Sequence, residues 1–134
     1  MRSEIPLYNL ANTRFQQGDF SAAHDLYQRA LGLRPNFKEA LFNDGVALYG
    51  WGLREIDPQG CMLDRTKELW SAALLRFEEA ARAAGEDEEL ARKARDNAEF
   101  VRARFKDLEQ LGKNCPENPG GGSREEPPRE KQSS

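Results

Sequence analysis

The stretch Leu7-Tyr8-Asn9-Leu10-Ala11, followed by Phe15, Gly18-Asp19-Phe20, Ala23, Tyr27, Ala30 and Pro35, decides the fold. Its apolar residues recur three or four apart, the period of a helix rather than a strand. A first helix is expected from about Glu4 to Gln17, with Ser3 as N-cap, Pro6 tolerated in the first turn and Gly18 closing it. Asp19 then caps a second helix whose stripe is Ala23, Leu26, Tyr27, Ala30, Leu31 and Leu33, and Pro35 stops it. Small residues at Ala11, Ala23 and Ala30 let two antiparallel helices approach closely, while Leu7, Leu10 and Tyr27 fill the gaps beside them.

The pattern then returns. Lys38 opens a third helix carrying Leu41-Phe42-Asn43-Asp44-Gly45, Val46, Leu48 and Tyr49, with Asn36 and Glu39 as a capping pair and an end near Gly50 and Gly52. The spacing Ala23-x3-Tyr27-x2-Ala30 reappears as Ala73-x3-Phe77-x2-Ala80 in a fourth helix, expected from about Arg65 to Ala84. From Ala11 to Ala23 is 12 residues and from Gly45 to Ala73 is 28, so the second copy holds a 16-residue insertion at about 50–66. That segment, Trp51 to Thr66, reads as irregular, with Asp57-Pro58 and Gly60 as turn chemistry and Asp64 as the next cap. A fifth helix follows, with acids Glu86 to Glu89 at its start and apolar positions Leu90, Ala94, Ala98, Val101, Phe105 and Leu108 running on to Leu111 before Gly112. It opens a third copy that is never completed, as an edge helix does when it covers the last apolar face of a stack.

A repeat of about 34 residues built this way resembles the tetratricopeptide repeat. One departure is Arg14, where that pattern wants an aromatic; Phe15 sits beside it. The resemblance covers residues 4 to 111 and implies an all-α superhelix of two helix hairpins plus a C-terminal capping helix. The domain is 4–114: repeat one at 4–37, repeat two at 38–87, capping helix at 88–111. A narrower resemblance rests on Ala94 to Val101, Arg104-Phe105 and Leu108-Glu109. These are similar to the closing helix of tetratricopeptide proteins encoded beside von Willebrand-type proteins in bacterial aerotolerance-type operons.

The family's first helices line a concave groove that takes partner peptides. Carried over by position, the partner-binding residues are Tyr8, Asn9, Asn12, Phe15 and Gln16 from copy one, and Phe42, Asn43, Val46 and Tyr49 from copy two. Asn side chains can hold an extended backbone through paired donor and acceptor groups, and aromatics offer rigid apolar contact. Phe42 and Tyr49 can equally pack against the fifth helix or the insertion. The family's clamp for chaperone C-termini wants Lys beside these Asn. Tyr8 and Phe42 occupy the matching positions, which disfavours that ligand class. The expected role is therefore a protein-binding adaptor or scaffold. The alternative is a self-associating or membrane-complex assembly module, because repeat arrays usually need about three units to cover their edges.

Asp44 stands where the pattern expects a buried Leu. Either Arg54 or Arg65 of the insertion pairs it, or the third helix is rotated and Asp44 is solvated, the reading we favour. His24 has no Cys or second His near it in sequence and reads as a lone surface histidine, so no metal site is expected. Cys61 and Cys115 read as free thiols in a reducing compartment, the rival being a disulfide in an oxidising one. The compartment stays open on that point, cytoplasmic and soluble by default.

From Pro116 to Ser134 no aliphatic or aromatic residue occurs, and Gly120-Gly121-Gly122 lies between prolines. Residues 115–134 are expected to be a disordered tail. The whole chain of 134 residues carries 20 Lys+Arg against 23 Asp+Glu. A net charge of −3 argues against nucleic acid as a partner. No apolar run approaches the roughly 18 residues of a membrane span, and no apolar signal core follows Met1. No Ser/His/Asp or Cys/His grouping, phosphate-binding Gly loop or metal spacing is present, so neither enzyme activity nor a cofactor is expected. A weak homo-oligomer is consistent with the short stack.

Overall fold

A computed structural model describes residues 3–115; the expected tail from 116 onward lies outside the described residues. Five helices follow in order: α1 (Glu4–Gln16), α2 (Phe20–Leu33), α3 (Lys38–Arg54), α4 (Asp64–Ala83) and α5 (Glu88–Lys113), with no strand among the described residues. Each helix packs on the next, so the chain stacks as two hairpins and a closing helix. The small residues do what their size allows. Ala11, Ala23, Ala30, Ala73 and Ala80 have no exposed surface. At Gly45 a Cβ would lie 2.6 Å from the Phe77 ring, so only glycine lets α3 and α4 come this close.

Two apolar clusters form the core. The first joins the hairpins through Tyr27, Leu31, Phe37, Leu41 and Ala47 and reaches Ala80 and Ala94. The second, around Leu48, Trp70, Phe77, Val101 and Leu108, lies between α3, α4 and α5. Phe42 packs against both.

The ends of the helices are set partly by caps and partly by burial. Asp19 accepts from the Ala22 N–H at 3.2 Å and Asp87 from the Leu90 N–H at 3.1 Å, each satisfying an orphan donor of the helix that follows. Ser3 holds the N-cap position of α1 without a side-chain bond. The expected Asn36–Glu39 pair does not cap α3. Phe37 is its N-cap residue, 4% exposed, with its ring 4.7 Å from Tyr8 and the Arg34 guanidinium 4.3 Å above it. Burial of that ring fixes how the chain enters α3. Likewise Leu63, 5% exposed, precedes α4, and Asp64 is its first residue rather than its cap.

The insertion is mostly helix. α3 has 17 residues against 13 in α1, and α4 has 20 against 14 in α2; the remaining six lengthen the connection at 55–63. Trp51 to Arg54, expected to be irregular, continue α3 through both glycines. Gly50 and Gly52 are places of close approach rather than stops: a Cβ would meet the Phe20 ring at 2.7 Å and the Trp70 indole at 2.5 Å. The extra turn lies over the α1–α2 corner, where Arg54 donates to the Gly18 carbonyl and stacks 4.5 Å from Phe20. α5 also passes through its expected stop at Gly112 and ends at Lys113.

Candidate functional site

Tyr8, Asn12 and Asn43 come together between α1 and α3. Asn43 Nδ2 donates to Tyr8 Oη at 3.2 Å and to Asn12 Oδ1 at 3.1 Å. Asn12 Oδ1 also accepts from the Tyr27 hydroxyl, which reaches up from α2. Burial first, then repulsion from Tyr8 and Asp44, push the Tyr27 phenol well above its ordinary range, against a hydrogen bond from Asn43. The network uses the Asn12 carbonyl and the Asn43 amide. Asn12 Nδ2 and Asn43 Oδ1 make no hydrogen bond among the described residues. One side-chain donor and one side-chain acceptor are thus left unspent, the two kinds of group that an extended backbone pairs with.

The other expected residues divide. Asn9 and Gln16 are exposed on α1. Phe15 turns towards Phe20, 5.6 Å away, at the hairpin corner. Phe42 packs edge-on against Phe77 at 5.6 Å, the core role its position also allowed. Val46 and Tyr49 line a cleft of about 120 Å3 between α3 and α5, with Phe77, Asn97, Phe100 and Val101. Tyr49 stacks on Trp70 at 4.9 Å, and Phe100, 49% exposed, meets its ring edge-on at 5.5 Å. Burial raises the Tyr49 phenol above its usual range, with Arg104 opposing and Asp107 adding. Asn97 and Phe100 were not among the expected site residues. The signal was present, because α5 packs on α4 as α3 packs on α2, which puts its inward positions within reach of the same reading.

Two expectations about polar residues are corrected. Asp44 is neither solvated nor held by the insertion: it has no exposed surface, and it accepts from His24 Nδ1 at 2.7 Å and Arg76 Nε at 2.8 Å. His24 is correspondingly no lone surface residue, its side chain being 17% exposed. Desolvation pulls the Arg76 pKa down, but its bonds to Asp44 and Glu79 outweigh that and leave it raised. The insertion arginines act elsewhere, Arg54 at Gly18 and Arg65 over the Trp51 ring at 4.9 Å. The cysteines are also corrected: Cys61 and Cys115 form a disulfide, so Cys115 belongs to the folded part rather than to a tail. No group of three or more His, Cys, Asp or Glu able to hold a metal occurs among the described residues. Among them, no helix is long and apolar enough to cross a membrane.

With this geometry in place, comparison with known proteins bears on the row of first helices. Residues 6–37 match the tetratricopeptide repeat family. The repeat thus spans α1, the corner and α2, and the all-helical stack that continues from it is the expected superhelix. The chain is also similar to Photosystem I assembly protein Ycf3 of Acaryochloris marina (strain MBIC 11017), 33% identical over 73 residues, 51% of this chain and 44% of that protein. Less than half of that relative is therefore matched. No solved structure matches.

Proposed function

We propose that this chain is an adaptor or scaffold that holds an extended segment of a partner protein along the row formed by α1, α3 and α5. The tetratricopeptide repeat and the assembly-protein relative support the coarser statement, a role in protein–protein interaction or assembly. The observation that carries the finer reading is the Asn12–Asn43 pair with its unspent donor and acceptor. The cleft beside Tyr49 and Phe100 adds an apolar contact for a partner side chain. The test is a photo-crosslinking residue placed at Asn9, exposed on α1, or at Lys67, exposed on α4. Crosslinks to one partner from Asn9 and none from Lys67 are expected; the reverse would remove the groove from consideration.

A second reading, self-association within an assembly, is favoured by the outer edge of α1. Leu10 is 41% exposed and Ile5 44%, whereas Asp44, which holds the place of Leu10 in the second repeat, is covered by α2. At the opposite end Arg95, Asp96, Glu99 and Arg102 of α5 line an open cleft with Glu78 and Arg82 of α4, with Phe77, Ala81 and Ala98 also in its wall. A light-scattering concentration series on wild type and Leu10→Glu separates the two readings.

A further inference from the structure

We infer that the Cys61–Cys115 disulfide is a redox-operated clip that locks the C-terminal end of α5 onto the α3–α4 connection. The bond joins residues 54 apart in sequence, one in the irregular segment 55–63 and one directly after α5. It lies at the boundary between core and solvent. On the same two segments, Leu63 and Leu108 are 5% and 3% exposed, while Leu111 and Met62 are 38% and 77% exposed. Both cysteines are partly exposed, so a reductant reaches them.

Close approach of small and apolar residues holds the same junction beside the bond. Gly60, at φ +75°, lies so close to Leu111 that a Cβ would come within 2.6 Å of its Cγ. Gly112 approaches Leu63 at 3.6 Å by the same measure. Glu109, Gln110, Lys113 and Asn114 are exposed and add no burial. Asp57 anchors the connection on its own side, accepting from the backbone N–H of Cys61 and Met62 at 2.9 and 3.1 Å. Opening the bond therefore leaves the connection in place and frees the last turn of α5.

The chemistry is a thiol–disulfide exchange with a dithiol reductant. One thiolate of the reductant attacks a sulfur of the bond, the second displaces the mixed disulfide, and the reductant leaves as its own disulfide. Two electrons and two protons pass to the protein, which gains two thiols. The clip changes the end of the helix that carries Asn97 and Phe100. A consequence for partner binding rests on the groove reading, but the clip itself does not.

The test is hydrogen exchange on the full chain, oxidised and after treatment with dithiothreitol, beside Cys61→Ser. Exchange of the amides from about 109 to 115 should rise at least ~10-fold on reduction and return on reoxidation. Helices α1 to α4 should keep their protection. Cys61→Ser should show the loosened end under both conditions. Three results would overturn the proposal: unchanged exchange at the end of α5, loss of protection through all five helices together, or two titratable thiols in the air-oxidised protein. The second result would make the bond a staple of the whole fold, and the third would mean that it does not form.

Discussion

Asp44 occupies the place that Leu10 holds in the first repeat, and its neighbours show why a carboxylate is tolerated there. His24 from α2 and Arg76 from α4 meet it from both sides, so three helices share one buried charge. Deleting the carboxylate would take a partner from both His24 and Arg76, leaving the guanidinium to Glu79 alone, and Asp44→Ala should cost about 3 kcal/mol of stability in urea denaturation. Asp44→Leu combined with Arg76→Leu should recover most of that loss, because apolar replacement of a buried pair is often neutral. The sequence exposed the anomaly at Asp44 but not its partners, which lie 20 and 32 residues away and share no local pattern with it. Tyr27 supplies a second test. Its phenol is held above its ordinary value, so the unfolded chain releases that proton first. The stability it contributes is full below pH ~10 and declines as pH rises further. Tyr27→Phe should lessen that alkaline decline, measured as urea midpoints across that range. The same bond makes Asn12→Ala a poor probe of binding, because it also leaves the buried Tyr27 hydroxyl without its acceptor.

At the scale of the helices, close approach decides more than propensity. Gly45→Ala would press a methyl group into the Phe77 ring and should destabilise by about 1–3 kcal/mol, read from thermal or urea melts. Glycine was legible in the repeat pattern at this position because Ala11 marks the same place in the first copy. Gly50 and Gly52 were misread as a helix end, since the residue that permits a stop also permits two helices to touch. α5 was legible as an edge helix from its stripe, and burial of Val101 and Leu108 accords with that. Removing residues from Glu88 onward should uncover Trp70 and Phe77, which lie in the same cluster as Val101. The shortened chain should then lose its cooperative melt or aggregate, observed by circular dichroism and light scattering. A soluble, cooperatively melting product would contradict the capping role.

For the molecule as a whole, the all-α superhelix was readable because one repeat states its pattern twice, and the second copy keeps it across 16 extra residues. The arrangement of side chains along the first helices was only half readable. Tyr8, Asn12 and Asn43 meet as their positions implied, but Phe15 and Phe42 are drawn into aromatic packing, and among the described residues no helix follows α5 to reveal its inward row. The central claim is that this row holds the partner. Its most direct measurement is the equilibrium affinity of the captured partner segment for wild type, Phe100→Ala and Lys67→Ala, each checked for an unchanged melt. Phe100 is half-exposed, so its truncation perturbs the core little, whereas an aromatic anchor in an interface typically contributes ~2 kcal/mol or more. We predict binding about 30-fold weaker for Phe100→Ala and unchanged for Lys67→Ala. Equal affinity for wild type and Phe100→Ala, together with loss of binding in Met62→Ala, would place the contact on the α3–α4 connection and contradict the account.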